Sequence, residues 1–176
     1  LDADYVEIRG ERGETTSIAY LGPVLESIGM QFTLGGCVRA CVRGGWGFAT
    51  FNRPEEASES ARLACRMAEL AAADGSALAP VEAVVDSIGD RVEVDPAEIS
   101  LEEKRDLLKS YNDRMLQDGE IVTTKSIYRD LKRTVSIHNS EGTELTKNEC
   151  YCGVMLAAVT RDGANVQRGF ESVGDR

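Results

Sequence analysis

The stretch CVRACVRGGWGFATF, residues 37–51, decides how the rest of the chain is read. It sets Cys37 and Cys41 on an alternating run and then places Gly44, Gly45 and Gly47 around Trp46, the only tryptophan. A phosphate-cradling loop needs its glycines to end a strand and open a helix directly, so that the helix N-terminal amides meet the phosphate. Here the glycines run into WGFATF, which alternates as a strand, and the first lysine of the chain is Lys104. The glycines are therefore predicted to turn a hairpin at Gly44-Gly45. Cys37 and Cys41 share one face of an extended strand but sit about 13 Å apart at its rise, too far to hold one ion.

Outward from this hairpin the pattern is mostly β. DYVEIR alternates with Val6 and Ile8 on one face, and TTSIAYL leads to a Gly22-Pro23 turn. MQFTL places Met30, Phe32 and Leu34 on one face, and Gly35-Gly36 suggest a bend or bulge. A helix follows Pro54, with Ala57, Ala61, Ala64, Ala68 and Ala71 as a small-residue stripe flanked by Leu63, Met67 and Leu70. Residues 74–99 hold two prolines and two glycines and read as an extended crossing segment. A second helix starts at Ser100 with a capping box to Glu103, and Leu101, Leu108, Tyr111 and Met115 share a face. Strands then resume to the end of the chain.

LAAVTRDGANVQRGF, residues 156–170, resembles the opening stretch. Gly45 falls on Gly163 and Ser17 on Ser136, an offset of 118–119. The fold expected is α+β, with antiparallel curved sheets, packed helices and two related strand-rich repeats. Residues 1–73 form the first repeat with its helix, 74–99 the crossing segment, and 100–176 the second repeat with its helix leading. Leu1 in place of methionine suggests that the native chain begins upstream.

The formal net charge is −10, and residues 54–103 carry thirteen acids against three bases, which is the whole excess. Such a belt repels phosphate, so direct nucleic-acid or anionic-membrane binding is not expected. Five cysteines with no secretory signal favour free thiols and a cytoplasmic location. His138 is the only histidine, and no H-E-x-x-H occurs. A thiol pairing of His138 with Cys150 or Cys152 is the one nucleophilic arrangement open to test. Glu102 and Glu103 are accounted for by helix capping. From the residues alone, no catalytic, cofactor-binding or metal residue is assigned.

Five segments carry a resemblance: DYVEIRGERGETTSIAYLGPVLESI, GGCVRACVRGGWGFATFNRPEEA, ISLEEKRDLLK, VSIHNSEGTEL and LAAVTRDGANVQRGFES. In that order and spacing the chain resembles the N-terminal domain of the TldD/PmbA family, often labelled modulators of DNA gyrase. The resemblance implies a zinc metallopeptidase acting on peptides or unfolded chains and assembled from two homologous subunits. It also implies that the zinc ligands, from an H-E-x-x-x-H helix and a later cysteine, lie downstream of the matched segment. No cofactor is then expected within residues 1–176, no ligand role passes to any of the five cysteines, and the gyrase label reads as an indirect link. The chain would be a scaffold and substrate-chamber domain without catalysis of its own. A non-catalytic binding or assembly module, the partner-subunit branch, is the alternative.

Overall fold

The computed structural model describes residues 2–72, 78–90 and 92–175. Of the crossing segment expected at 74–99, residues 74–77 and 91 lie outside these. Seven strands and two helices follow in the order β1 (Tyr5–Leu21), β2 (Val24–Val42), β3 (Gly45–Phe51), α1 (Ala57–Leu70), β4 (Val85–Ile88), α2 (Leu101–Leu116), β5 (Ile121–Asn139), β6 (Glu144–Asp162) and β7 (Asn165–Asp175) among the described residues. The elements are mostly antiparallel strands joined by hairpins, with two helices, which is the α+β class expected. Hydrogen-bonded neighbours run β3-β2-β1-β5-β6-β4, with β7 also on β6. β4 joins β6 in parallel at Val85↔Glu144, so part of the crossing segment is itself a strand.

The strands are longer than the sequence pattern indicated. β2 runs unbroken through Gly35-Gly36, where a bend was expected. Those glycines serve close approach instead: a Cβ on Gly36 would lie 2.2 Å from the Arg9 carbonyl oxygen. The β2–β3 turn is Arg43-Gly44, both at positive φ (46° and 79°), and Gly45 already pairs with Val42. The β6–β7 turn contains Gly163 (φ 58°) between the paired Asp162 and Asn165. The turn positions thus correspond at Arg43 and Gly163, two residues away from the sequence match of Gly45 with Gly163.

The chain divides into two compact units. Unit 1 comprises residues 1–13, 33–89 and 133–148; unit 2 comprises 14–32, 90–132 and 149–176. In unit 1, Val38, Ala40, Val42, Ala49 and Phe51 pack against Ala61, Ala64, Cys65 and Ala68 of α1. The alanine stripe works by closeness: a Cβ on Gly47 would lie 2.0 Å from the Ala64 carbonyl oxygen. Each alanine methyl contributes only about 0.8 kcal/mol of transfer energy, so the dense backbone contact matters as much. Leu63, Met67 and Leu70, expected beside the stripe, are exposed.

In unit 2 the core is Ile18, Tyr20, Leu108 and Tyr128, joined by Leu101, Cys152, Val154 and Leu156. The Ser100 capping box is formed in both directions, Glu103 N–H to Ser100 Oγ at 3.2 Å and Ser100 N–H to Glu103 Oε2 at 3.0 Å. The buried line of α2 is Lys104, Leu108 and Asn112, whereas Tyr111 is exposed. Asn112 donates to the Gly22 carbonyl (2.8 Å) and accepts from the Thr124 and Ser126 hydroxyls (2.8 Å each), which ties α2 to the β1–β2 turn and to β5.

Candidate functional site

Cys37 is half-buried and Cys41 buried on β2, where Cys37 faces Thr50 and Cys41 faces Trp46 across the β2–β3 ladder. His138 is exposed near the end of β5. Cys150 is buried, and burial, followed by the nearby Asp95 and Asp90 carboxylates, pushes its thiol above the ordinary value. That direction opposes thiolate formation and so argues against a nucleophile there. Among the described residues no three His, Cys, Asp or Glu side chains stand close enough to hold a metal ion. The residues described therefore do not fit a zinc centre. Among them, too, no helix is long and apolar enough to cross a membrane.

Unit 2 holds a polar cluster that the sequence reading missed. Lys104 Nζ lies 2.7 Å from Asp130 Oδ2, with side-chain exposures of 5% and 7%. Asp130 also accepts from the Tyr128 hydroxyl (2.8 Å) and the Thr16 amide (3.2 Å), and Cys152 Sγ lies 3.6 Å from the Tyr128 oxygen. Burial, then Asp130 and Cys152, hold the Tyr128 hydroxyl well above its ordinary pKa. Every charge and donor in the cluster is paired, which describes a lock between α2 and the sheet rather than a reactive group. A signal was available: Thr124, Ser126, Tyr128 and Asp130 alternate as a polar row on β5, opposite the polar pair Lys104 and Asn112 on α2.

The other face of the same sheet carries apolar side chains between Lys125 and Arg129. Strand alternation turns Ile127 and Leu131 of β5 and Met155 of β6 away from α2. These residues, with Tyr151, Gly153 and Gly174, line an open trough of about 860 Å³. Gly153 and Gly174 are cross-strand partners, so no side chain rises from the trough floor at that pair. Ala157 and Phe170, paired on the same face, extend it, and Phe170 is exposed. On β2 the Glu26–Lys125 contact (3.8 Å) places the even-numbered residues on this face as well. Val24, Ile28, Met30 and Phe32 are therefore a further exposed apolar row there. An open, mostly apolar trough of this kind suits binding of an apolar or extended chain.

Comparison with known proteins gives this scaffold relatives. Residues 6–72 match the model described as PmbA/TldA metallopeptidase domain 1, and residues 94–176 match the PmbA/TldA metallopeptidase central domain. A metalloprotease of Synechocystis sp. is 36% identical over 176 residues, 99% of this chain and 38% of that protein. A metalloprotease of Methanothermobacter thermautotrophicus is 29% identical over 171 residues, 97% of this chain and 37% of that protein. The chain thus spans less than two-fifths of the relatives it matches. Among solved structures, a suggested modulator of a DNA gyrase from Thermotoga maritima superposes with a TM-score of 0.83 at 17% identity, covering 98% of this chain and 39% of that one. TldE from Thermococcus kodakarensis superposes at 0.74 with 18% identity, covering 99% and 40%. At those identities the likeness shows the fold.

Proposed function

This chain belongs to the PmbA/TldD metallopeptidase family, and on that premise we propose that it is the non-catalytic scaffold of such a peptidase. It walls a substrate chamber and offers extended or unfolded peptides an apolar surface. Zinc and its ligands come from the part of the longer relatives that this chain does not match. A homologous subunit completes the assembly, which works in the cytoplasm. The observation that carries the proposal is the open trough of about 860 Å³ on the unit 2 sheet face turned away from α2.

The test compares the 176-residue chain with a protein extended to the length of the relatives. The chain alone is expected to hydrolyse no unfolded substrate and to bind no stoichiometric zinc. In the extended protein, Met155→Asp is expected to lower kcat/KM on an unfolded polypeptide about tenfold, ~1.4 kcal/mol, with zinc content unchanged. One tightly held zinc per 176-residue chain, or wild-type kinetics in the Met155→Asp protein, would refute the assignment. An extended protein that holds no zinc would place the chain on the partner-subunit branch.

A further inference from the structure

Unit 1 carries a surface that the peptidase reading leaves unused. On the sheet face turned away from α1, Tyr5, Glu7 and Arg9 of β1 lie beside Arg39 of β2 and Trp46 and Phe48 of β3. Arg39 and Phe48 are direct cross-strand partners. Glu7, with its side chain 6% exposed, receives Arg39 Nη2 at 2.9 Å and Arg9 Nε at 2.6 Å. It also accepts from the Tyr5 hydroxyl at 2.8 Å. The Arg39 guanidinium lies over two rings, 5.5 Å from the Trp46 centroid and 5.8 Å from that of Tyr5. Trp46 meets Tyr5 edge-on at 6.0 Å and stacks on Phe48 at 6.5 Å.

Two properties of this group point outward. Arg39 is held by Glu7 at 2.9 Å with its side chain still 38% exposed. Two guanidiniums also face one carboxylate, which leaves a local positive charge in a chain of net −10. Beside that charge Phe48 stands 58% exposed on an edge strand, an apolar ring with no core to enter. Tryptophan, tyrosine and arginine held rigidly together are the residues that dominate binding energy at protein interfaces. Glu7 fixes Arg39 in place, so little side-chain freedom would be lost on binding.

We propose that this face binds an extended peptide segment bearing a carboxylate side chain with an apolar residue two positions away. The carboxylate meets Arg39 and Arg9, and the apolar side chain, on the same face of the extended segment, covers Phe48 and Trp46. A small anion would leave Phe48 exposed, whereas a peptide of this kind answers both the charge and the ring. Aromatics interleaved with arginine also suit single-stranded nucleic acid. A polyanion, however, would meet the repulsion of the thirteen acids in residues 54–103, which a single carboxylate largely escapes. The proposal involves neither zinc nor catalysis, so it stands or falls separately from the peptidase reading.

Trp46 is the only tryptophan in the chain, so its fluorescence reports on this face alone. The 176-residue chain is titrated with a capped, tryptophan-free hexapeptide alternating glutamate and leucine, and with the same peptide carrying glutamine for glutamate. The acidic peptide is expected to change Trp46 emission saturably and to bind at least tenfold more tightly than the glutamine form, with the difference narrowing as salt is raised. Arg39→Gln is expected to weaken binding at least tenfold and Arg39→Lys to keep part of it. Phe48→Ser, an exposed position whose change leaves the fold intact by circular dichroism, should weaken binding by a similar factor. Equal binding of the two peptides, no response in Trp46, tighter binding of oligothymidylate, or a concentration-dependent change without peptide would each overturn the proposal.

Discussion

Replacing Lys104 with methionine tests whether the polar lock under α2 is a paired ionic unit. The methionine keeps most of the side-chain volume, so packing changes little, but Asp130 stays buried without its counter-ion. With side-chain exposures of 5% and 7% and a 2.7 Å contact, water cannot replace the ammonium without opening the helix. Removing one partner of such a pair costs about 3–5 kcal/mol. Asp130 retains the Tyr128 hydroxyl and the Thr16 amide as donors, each worth about 1.5–3 kcal/mol to a charged acceptor. Those two bonds set the expected cost of Lys104→Met near the lower end, about 3 kcal/mol. Asp130→Leu leaves the ammonium with only the Thr16 hydroxyl (3.4 Å) and two donors unsatisfied, and is expected to cost at least as much. The double variant removes both charges and leaves only the Tyr128 and Thr16 donors unpaired, about 1–3 kcal/mol each. It should therefore be far less unstable than the sum of the singles. Urea unfolding followed by far-ultraviolet circular dichroism at neutral pH closes the cycle. A cost below about 1 kcal/mol for Lys104→Met, or additivity within about 0.5 kcal/mol, would refute the reasoning.

Gly47→Ala puts a methyl 2.0 Å from the Ala64 carbonyl oxygen, so α1 must shift and stability should fall by about 3 kcal/mol or more. Gly163→Ala, with nothing within 4 Å but φ at +58°, should cost only about 1 kcal/mol, and equal losses in thermal denaturation would contradict the packing account. Burial of Glu7 would raise its pKa, but hydrogen bonds from Arg9, Arg39 and Tyr5 outweigh it and hold the carboxyl below the ordinary 4.5. A depressed folded value stabilises above the unfolded pKa and is lost on acidification through the folded one. Glu7→Gln should accordingly cost about 1–3 kcal/mol at neutral pH, with the gap to wild type closing as pH falls below 4.5, read from urea midpoints across pH. Of the five cysteines, Cys41, Cys65 and Cys150 are buried, so a thiol reagent at neutral pH should label Cys37 and Cys152 in the native protein and all five in urea. Fast native labelling of Cys150, assigned by peptide mapping, would restore the nucleophile that its raised pKa argues against.

Local patterns were legible where a single element decides them. The hairpin glycines, the Pro54 helix start and the Ser100–Glu103 box all depend on residues within a few positions of one another. What escaped the sequence depends on partners far along the chain. Lys104 meets Asp130 across 26 positions, and Asn112 finds its carbonyl at Gly22, 90 positions away. An apolar-periodicity reading gave the inward face of α2 to Leu101, Leu108, Tyr111 and Met115, because it has no term for polar residues that arrive with partners. Likewise Gly36 read as a bend and Gly47 as an ordinary strand position, since only the crossing backbone of β1 or α1 shows that they make room. The trough was invisible for the same reason: Gly153 and Gly174 clear its floor only because the β6–β7 register pairs them.

The distribution of polarity in unit 2 bears on function as well as on stability. A sheet with one covered face ordinarily turns its apolar side chains to the helix and its polar ones to water. Here the β5 row under α2 is Thr124, Ser126, Tyr128 and Asp130, while the opposite row is Lys125, Ile127, Arg129 and Leu131. Met155 and Phe170 add to that outer face, and Met30 and Phe32 on β2 leave still more apolar surface uncovered. Burying Lys104 and Asp130 beneath α2 carries a desolvation cost that an apolar pair there would avoid. The paired polar contacts instead dock α2 in one register at modest net gain and leave the apolar side chains free to meet something outside. The apolar side chains left on the outer face support reading it as a binding wall, while α2 is held by the Lys104–Asp130 and Asn112 contacts together with Leu101 and Leu108 in the core.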